Sequence, residues 1–377
     1  MGAEVGAAAV IGAKGPHLVV RLEVSAAMAK QAQALFILDE RDQQSGKRPI
    51  TPLARRKAGF IGGPETLKGL YGNAVVMPAA VGSGQPSLLF VACFGENCVR
   101  VFDANSGENI CSIATGHKPR GLALRSMGPP GSGRPAILYV AEEGDHRVQA
   151  FNADTGAHLR FLGTGVAGSA IDQFNGPTFV ALHEPPAGSV QPTLLFVADG
   201  NNHRVQVLDA DTGAHLRTIG AGTYGKGKGQ VGTPRGLAYQ PAGPSGSGRP
   251  AVLYVAEFYN HRVQAFDADT GAHLRFFGTG DHGSGMDQFY NPTGVALREP
   301  PLESGGPTLL YVADSDNNRV QVFDADTGAV VRTIGSIGSA LGQLKSPRGV
   351  TVHHGADGVT LLFVTEYDNK RVQVFVL

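Results

Sequence analysis

Residues Tyr254–Gly278 read YVAEFYNHRVQAFDADTGAHLRFFG, and near copies of this stretch recur along the chain. They begin at Tyr139 (YVAEEGDHRVQAFNADTGAHLRFLG), Phe196 (FVADGNNHRVQVLDADTGAHLRTIG) and Tyr311 (YVADSDNNRVQVFDADTGAVVRTIG). A degenerate copy starts at Phe90 (FVACFGENCVRVFDANSGENICSIA), and a shortened one, FVTEYDNKRVQVFVL, runs from Phe363 to Leu377. A unit that returns at a near-constant interval marks a solenoid, propeller or array, because a single unit cannot bury its own apolar face.

Each unit holds four apolar runs separated by turn residues. In the fourth copy, GLAYQ (Gly236–Gln240) follows Thr233-Pro234-Arg235 as a first strand, and the loop PAGPSGSGRP leads to a second, AVLYVAE. The turn FYNH then gives RVQAFDA, with clear period-two alternation, and DADTG gives HLRFFG. Asp, Asn and Gly suit such turns because they tolerate unusual backbone conformations. Four antiparallel strands per unit predict an all-β fold, the β-propeller.

The aligned positions Cys98, Arg147, Arg204, Arg262, Arg319 and Arg371 count six blades. The last has three strands, and AGFIG (Ala58–Gly62) predicts its missing outer strand, since it resembles RTIGSIG at Arg332–Gly338. Closure by that N-terminal strand would leave the ring without a free sheet edge. The propeller is thus expected over residues 56–377, after an extension over residues 1–55. In the extension, His17–Val24 predicts a strand, and Ala26–Glu40 carries helix formers at helical spacing.

Lys+Arg and Asp+Glu balance at 32 each among 377 residues, so no net field draws the chain to nucleic acid or to an anionic membrane. Three cysteines (Cys93, Cys98 and Cys111) are too few and too odd in number for a disulfide framework, which suits a reducing, cytoplasmic setting. No apolar run reaches the ~20 residues that span a membrane. A monomer is expected.

The units resemble the NHL-repeat family, in which a Pro-x-Gly first strand precedes a V-A-D-x-x-N-x-R-V-Q-V-F hairpin. Asp199-Gly200-Asn201-Asn202-His203-Arg204-Val205-Gln206-Val207 follows that pattern closely. The resemblance implies a six-bladed ring and admits several activities. The leading one is a non-catalytic scaffold for a protein or peptide, in some members the substrate-recognition part of ubiquitination, with catalysis elsewhere. The alternatives are a channel-site enzyme resembling peptidyl-amidoglycolate lyase or a calcium-dependent lactonase, and an RNA-binding propeller.

Loops on a rigid scaffold are where binding usually resides. The turns between second and third strands differ most among the units, and they share a face with the first-strand starts. Pro-Arg-Gly opens blades 2, 4 and 6 at Arg120, Arg235 and Arg348, whereas Pro-Thr opens blades 3 and 5 at Thr178 and Thr293. These arginines either pair with Glu142, Glu257 and Glu366 or ring the channel mouth, ready for a carboxylate or phosphate. Phe258 and Tyr259 add paired aromatics to that face. His146, His203 and His261 fill one motif slot, read as a turn position that faces the partner rather than as a zinc set. The DADTG runs lack the later ligands of a calcium loop. No catalytic constellation, metal site or cofactor is expected.

Overall fold

Alternating apolar positions in each hairpin build sheets buried on both faces, as stacked blades require. The computed structural model describes residues 9–13, 17–21, 36–39 and 59–377, except residue 68 and the segments 80–85, 129–132, 187, 245–246, 301–304 and 356–357. The chain clusters into two compact units, Met1–Gly59 and Phe60–Leu377. Among the described residues, the larger holds six four-stranded antiparallel sheets, the blades of a propeller. Blade 4 is representative, with Pro234–Gln240, Val252–Glu257, Arg262–Asp267 and His273–Phe277 in spatial order. The inner strands of blades 1, 2, 3, 5 and 6 are Ala74–Met77, Pro119–Arg125, Pro177–His183, Pro292–Arg298 and Pro347–His354.

The core is divided into wedges between neighbouring blades. Between blades 3 and 4, Phe196, Val207 and Ile219 meet Leu253, Val255 and Phe266. Similar clusters join blades 2 and 3, and blades 4 and 5. Each such side chain contributes about 1.5–3 kcal/mol on burial, so the blade-to-blade wedges hold the ring. Inner strands abut closely. A Cβ placed on Gly121 would lie 2.3 Å from the Phe179 Cα, so this position admits only glycine.

Closure occurs as the sequence predicts. Gly59–Ile61 is the fourth strand of the last blade, after Arg371–Val376, and Ile61 packs with Phe363, Val372 and Val374. Phe60 lies under the Arg371 guanidinium at 3.6 Å. On the inner side, the Thr365 hydroxyl donates to the Gly72 carbonyl at 2.8 Å, joining blade 6 to blade 1. Ala58 lies outside the described residues.

In the smaller unit, Ala9–Ala13, His17–Arg21 and Phe36–Asp39 form a three-stranded antiparallel sheet. The strand expected from His17 is present. The helix expected across Ala26–Glu40 is not what forms at its end: Phe36–Asp39 pairs with His17–Arg21, from His17↔Asp39 to Val20↔Phe36. Ladder pairing with a neighbouring strand overrides a local helical preference of this size. Residues 26–35 lie outside the described ones.

Candidate partner-binding face

The letters most often repeated in the unit are used inside the fold. In blade 3, Asp199 is fully buried and accepts from the Asn175 N–H at 2.7 Å, Asn202 Nδ2 at 2.8 Å and Arg204 Nε at 2.8 Å. Arg204 then donates its outer nitrogens to the carbonyls of Ser169, Ala170 and Gln173, fastening the loop that enters the blade. Asp314 and Arg319 repeat this in blade 5. The pairs Glu257–Arg262 and Glu366–Arg371 do the same in blades 4 and 6, whereas in blade 2 Arg147 pairs with both Glu142 and Asp145. Burial pushes the Asp314 carboxyl up even so, against the donors from Tyr290, Asn317 and Arg319. Such a latch organises more than it stabilises, yet removing one partner strands the other.

The latch corrects the pairing weighed for the first-strand arginines. Glu257 stands directly opposite Arg262 and pairs with it, while Arg235, in the irregular start of the inner strand, lies over the Phe258 ring instead. The acids that a channel metal would need are thereby held by the motif arginines.

The histidine slot has a common geometry. His146, His203 and His261 sit at φ of 50°, 52° and 51°, and their Nδ1 atoms accept from backbone N–H groups of Gly176 (3.0 Å), Thr233 (3.1 Å) and Asn291 (3.3 Å). Each acceptor thus ties its blade to the start of the next. Asn97 and Asn318 supply the same bond through Oδ1, to Lys118 and Ser346. An accepting Nδ1 requires an unprotonated ring, and burial lowers the pKa of both His203 and His261. The slot is therefore engaged within the ring.

The first-strand arginines behave differently. The Arg235 guanidinium lies 4.7 Å from the centre of the Phe258 ring, Arg348 lies 4.6 Å from Tyr71, and Arg120 lies 4.3 Å from Tyr71 and 5.1 Å from Phe94. Tyr71 packs against Phe94 and Tyr367 at 5.4 and 5.1 Å. Arg120 forms an ion pair with Glu143, the one carboxylate paired with any of the three among the described residues. Burial, partly opposed by Glu143, lowers the Arg120 pKa, and Arg348 adds to that lowering. Phe258 is buried and Tyr259 is 55% exposed, so the paired aromatics have separate roles: one supports Arg235, the other faces solvent.

The residue after each acid explains the alternation. It is Glu143, Phe258 and Tyr367 in the arginine blades, but Gly200 and Ser315 in the threonine blades. Thr178 donates to the Pro234 carbonyl at 2.8 Å and Thr293 to the Arg348 carbonyl at 2.8 Å, so both threonines tie onto the next blade. Phe94, Tyr367 and Tyr71 were not among the expected face residues. Phe94 and Tyr367 share the slot of Phe258, which was a usable signal. Tyr71 precedes the degenerate first blade and belongs to no visible copy of the unit.

The remaining candidates resolve locally. In the DADTG turns, Asp324 Oδ1 accepts from the N–H groups of Asp326 and Thr327 at 3.0 and 2.8 Å, which holds its carboxyl below the usual range. In blade 1, Cys93 faces Cys98 where the other blades place acid and arginine. The neighbouring Cys98 and burial push the Cys93 thiol up, while Cys98 is lowered. Glu96 brings a third ligand atom within 4.8 Å of the two sulfurs, but it already accepts from Arg100 Nε at 2.9 Å. A set of three with one member engaged falls short of a structural zinc shell. Among the described residues no helix is long and apolar enough to cross a membrane.

No protein-family profile matches the chain. It is similar to NHL repeat-containing protein 2 of Homo sapiens, 30% identical over 149 residues, which cover 36% of this chain and 19% of that protein. The same protein of Bos taurus is 28% identical over 229 residues, covering 52% of this chain and 31% of the relative. The matched region is thus under a third of either relative's length. Among solved structures, an auxiliary nutrient binding protein from Bacteroides thetaiotaomicron superposes with a TM-score of 0.52 at 14% identity, covering 82% of this chain and 70% of that one, a likeness of fold alone. The repeated acid–arginine latch, the six closed blades and the matched relatives together support an NHL-repeat β-propeller.

Proposed function

We propose that this propeller is a non-catalytic scaffold that presents the face of its first-strand starts and second-to-third-strand turns to a protein or peptide partner. One contrast carries the reading. The residues shared by the repeats are engaged within the ring, while Arg120, Arg235 and Arg348 rest on aromatic rings near its axis, with exposed Tyr259 beside them. Arginine and aromatic side chains are the usual anchors of interfaces. Neutral overall charge disfavours RNA as the partner. A role in ubiquitination, within this reading, is substrate recognition with catalysis supplied elsewhere, in a cytoplasmic setting that keeps the three cysteines reduced. The free protein is expected to be a monomer by light scattering.

The test is to cross-link partners to the intact protein, identify them, and measure their binding as purified components. Tyr259→Ala should weaken the interaction about tenfold at an unchanged melting temperature. Val190→Arg, at a fully exposed position in a first-to-second-strand loop, should leave it intact. The opposite pattern assigns binding to the other face.

A further inference from the structure

We propose that the mouth of the channel is a built oxyanion site, in which Arg120, Arg235 and Arg348 receive a carboxylate or phosphoryl group. The inference deepens the partner-face reading but stands on separate observations. Among the described residues, Arg235 and Arg348 have Nε and Nη1 atoms that are both buried and lack a hydrogen-bond acceptor, and Arg120 has a buried Nη1 without one beside an Nε that pairs with Glu143. These are the three arginines that open alternate blades. The residues are 5% exposed at Arg120 and 8% at Arg348. Buried donors without acceptors are unfavourable, most of all on charged groups, so an unmatched Nη1 at the same position of three blades is a pattern rather than an accident.

The surroundings favour an anion. The acids nearest in sequence, Glu142, Glu257 and Glu366, are already held by Arg147, Arg262 and Arg371. Of the three mouth arginines, only Arg120 has a carboxylate, Glu143. Arg120 and Arg348 both lie over the ring of Tyr71, and their two centroid distances together bound the separation of the guanidinium carbons at about 9 Å. Two like charges held this close are mutually unfavourable. Lys118, 5.6 Å from the Phe94 ring, adds a further positive charge at the rim. Aromatic rings under each guanidinium fix its plane and shield it from water, without neutralising it. Fixed, planar, partly dry guanidinium groups recognise carboxylate and phosphate through paired N–H donors.

The threonine blades supply the internal control. At the equivalent position Thr178 and Thr293 place their hydroxyls on backbone carbonyls of the next blade. The same slot is satisfied by the fold in those blades and left for a ligand in the arginine blades.

The experiment uses the intact protein and isothermal titration at constant ionic strength, with inorganic phosphate, inorganic pyrophosphate, acetate and citrate as probes against a chloride background. At least one of these oxyanions should bind saturably. Arg348→Met should weaken it tenfold or more, as should Arg235→Met, since each removes charge-assisted bonds while keeping an apolar stem over the ring. The phosphate and carboxylate arms distinguish which group the site prefers. Arg348→Lys is the second variant: it keeps the charge and should fold, but loses the planar donors, so it too should bind several-fold more weakly. Val190→Arg, in a first-to-second-strand loop, should leave oxyanion binding unchanged. Binding no tighter than that of chloride, or affinity unaltered in folded Arg348→Met and Arg348→Lys, overturns the proposal. If oxyanions fail while Tyr259→Ala still impairs the partner, this inference falls and the partner face stands.

Discussion

Blades 3 and 5 and blades 2, 4 and 6 are built from one unit, yet they treat the second residue of the inner strand in opposite ways. Thr293 bonds the Ser315 hydroxyl at 2.7 Å and the Arg348 carbonyl at 2.8 Å, fastening blade 5 to blade 6. Arg348 itself lies over Tyr71 and Tyr367 with no protein acceptor for its buried Nε and Nη1. The difference separates positions that hold the ring from positions the ring holds out for something else. A buried polar group left unmatched lowers stability, so its recurrence on every second blade points to a use outside folding.

The comparison breaks first if the latch is not common ground. Glu257→Ala in blade 4 strands the buried Arg262 with its amide partners, and Asp314→Ala in blade 5 strands the largely buried Arg319. Both should cost about 3–5 kcal/mol in urea unfolding, with similar values for the two blade types. A large disparity between them would mean that the alternation extends into the latch.

Next in size is the threonine tie. Thr293→Val keeps the shape but removes the hydroxyl, leaving Ser315 and the Arg348 carbonyl with one partner fewer. A loss of about 1–2 kcal/mol is expected, measured by the same unfolding. No loss would remove the structural half of the contrast.

The histidine slot sharpens the comparison between blades through pH. Burial lowers the pKa of His203 and His261, so the unfolded chain binds more protons than the folded one as pH drops below about 6.5. Their contribution is complete above that pH and is lost as pH falls through the folded value. His261 also faces His282 and Lys226, whose charge reinforces the lowering. His203→Asn combined with His261→Asn, the residue used at Asn97 and Asn318, should reduce the fall in melting temperature between pH 7 and 5. His183 and His273, also lowered by burial, leave a remaining slope. An unchanged slope in the double variant would show that these two rings do not titrate with unfolding.

The architecture was legible because repetition is redundant: copies of VAD–RVQ set strand number, turns and blade count, and AGFIG matched the outer strands. The pairing of Arg235 was not, because Glu257 is already taken by Arg262 across the hairpin and the inner strand is irregular where Arg235 stands, leaving it over Phe258. Tyr71 was invisible for a different reason. It stands where the other blades have proline, before a first blade whose copy is degenerate, so nothing in the repeat points to it. The helix expected across Ala26–Glu40 failed at Phe36–Asp39, where pairing with His17–Arg21 outweighs local preference.

The smallest expected effect is the most telling one, because it separates use in folding from use in binding. It is the urea-unfolding free energy of Arg348→Met, compared with wild type in the absence of phosphate and carboxylate buffers. Methionine keeps the apolar stem over Tyr71 and removes the unmatched donors, so stability should be unchanged within about 0.5 kcal/mol or should rise. A loss approaching that of the latch variants would contradict the account, because Arg348 would then be holding the ring together.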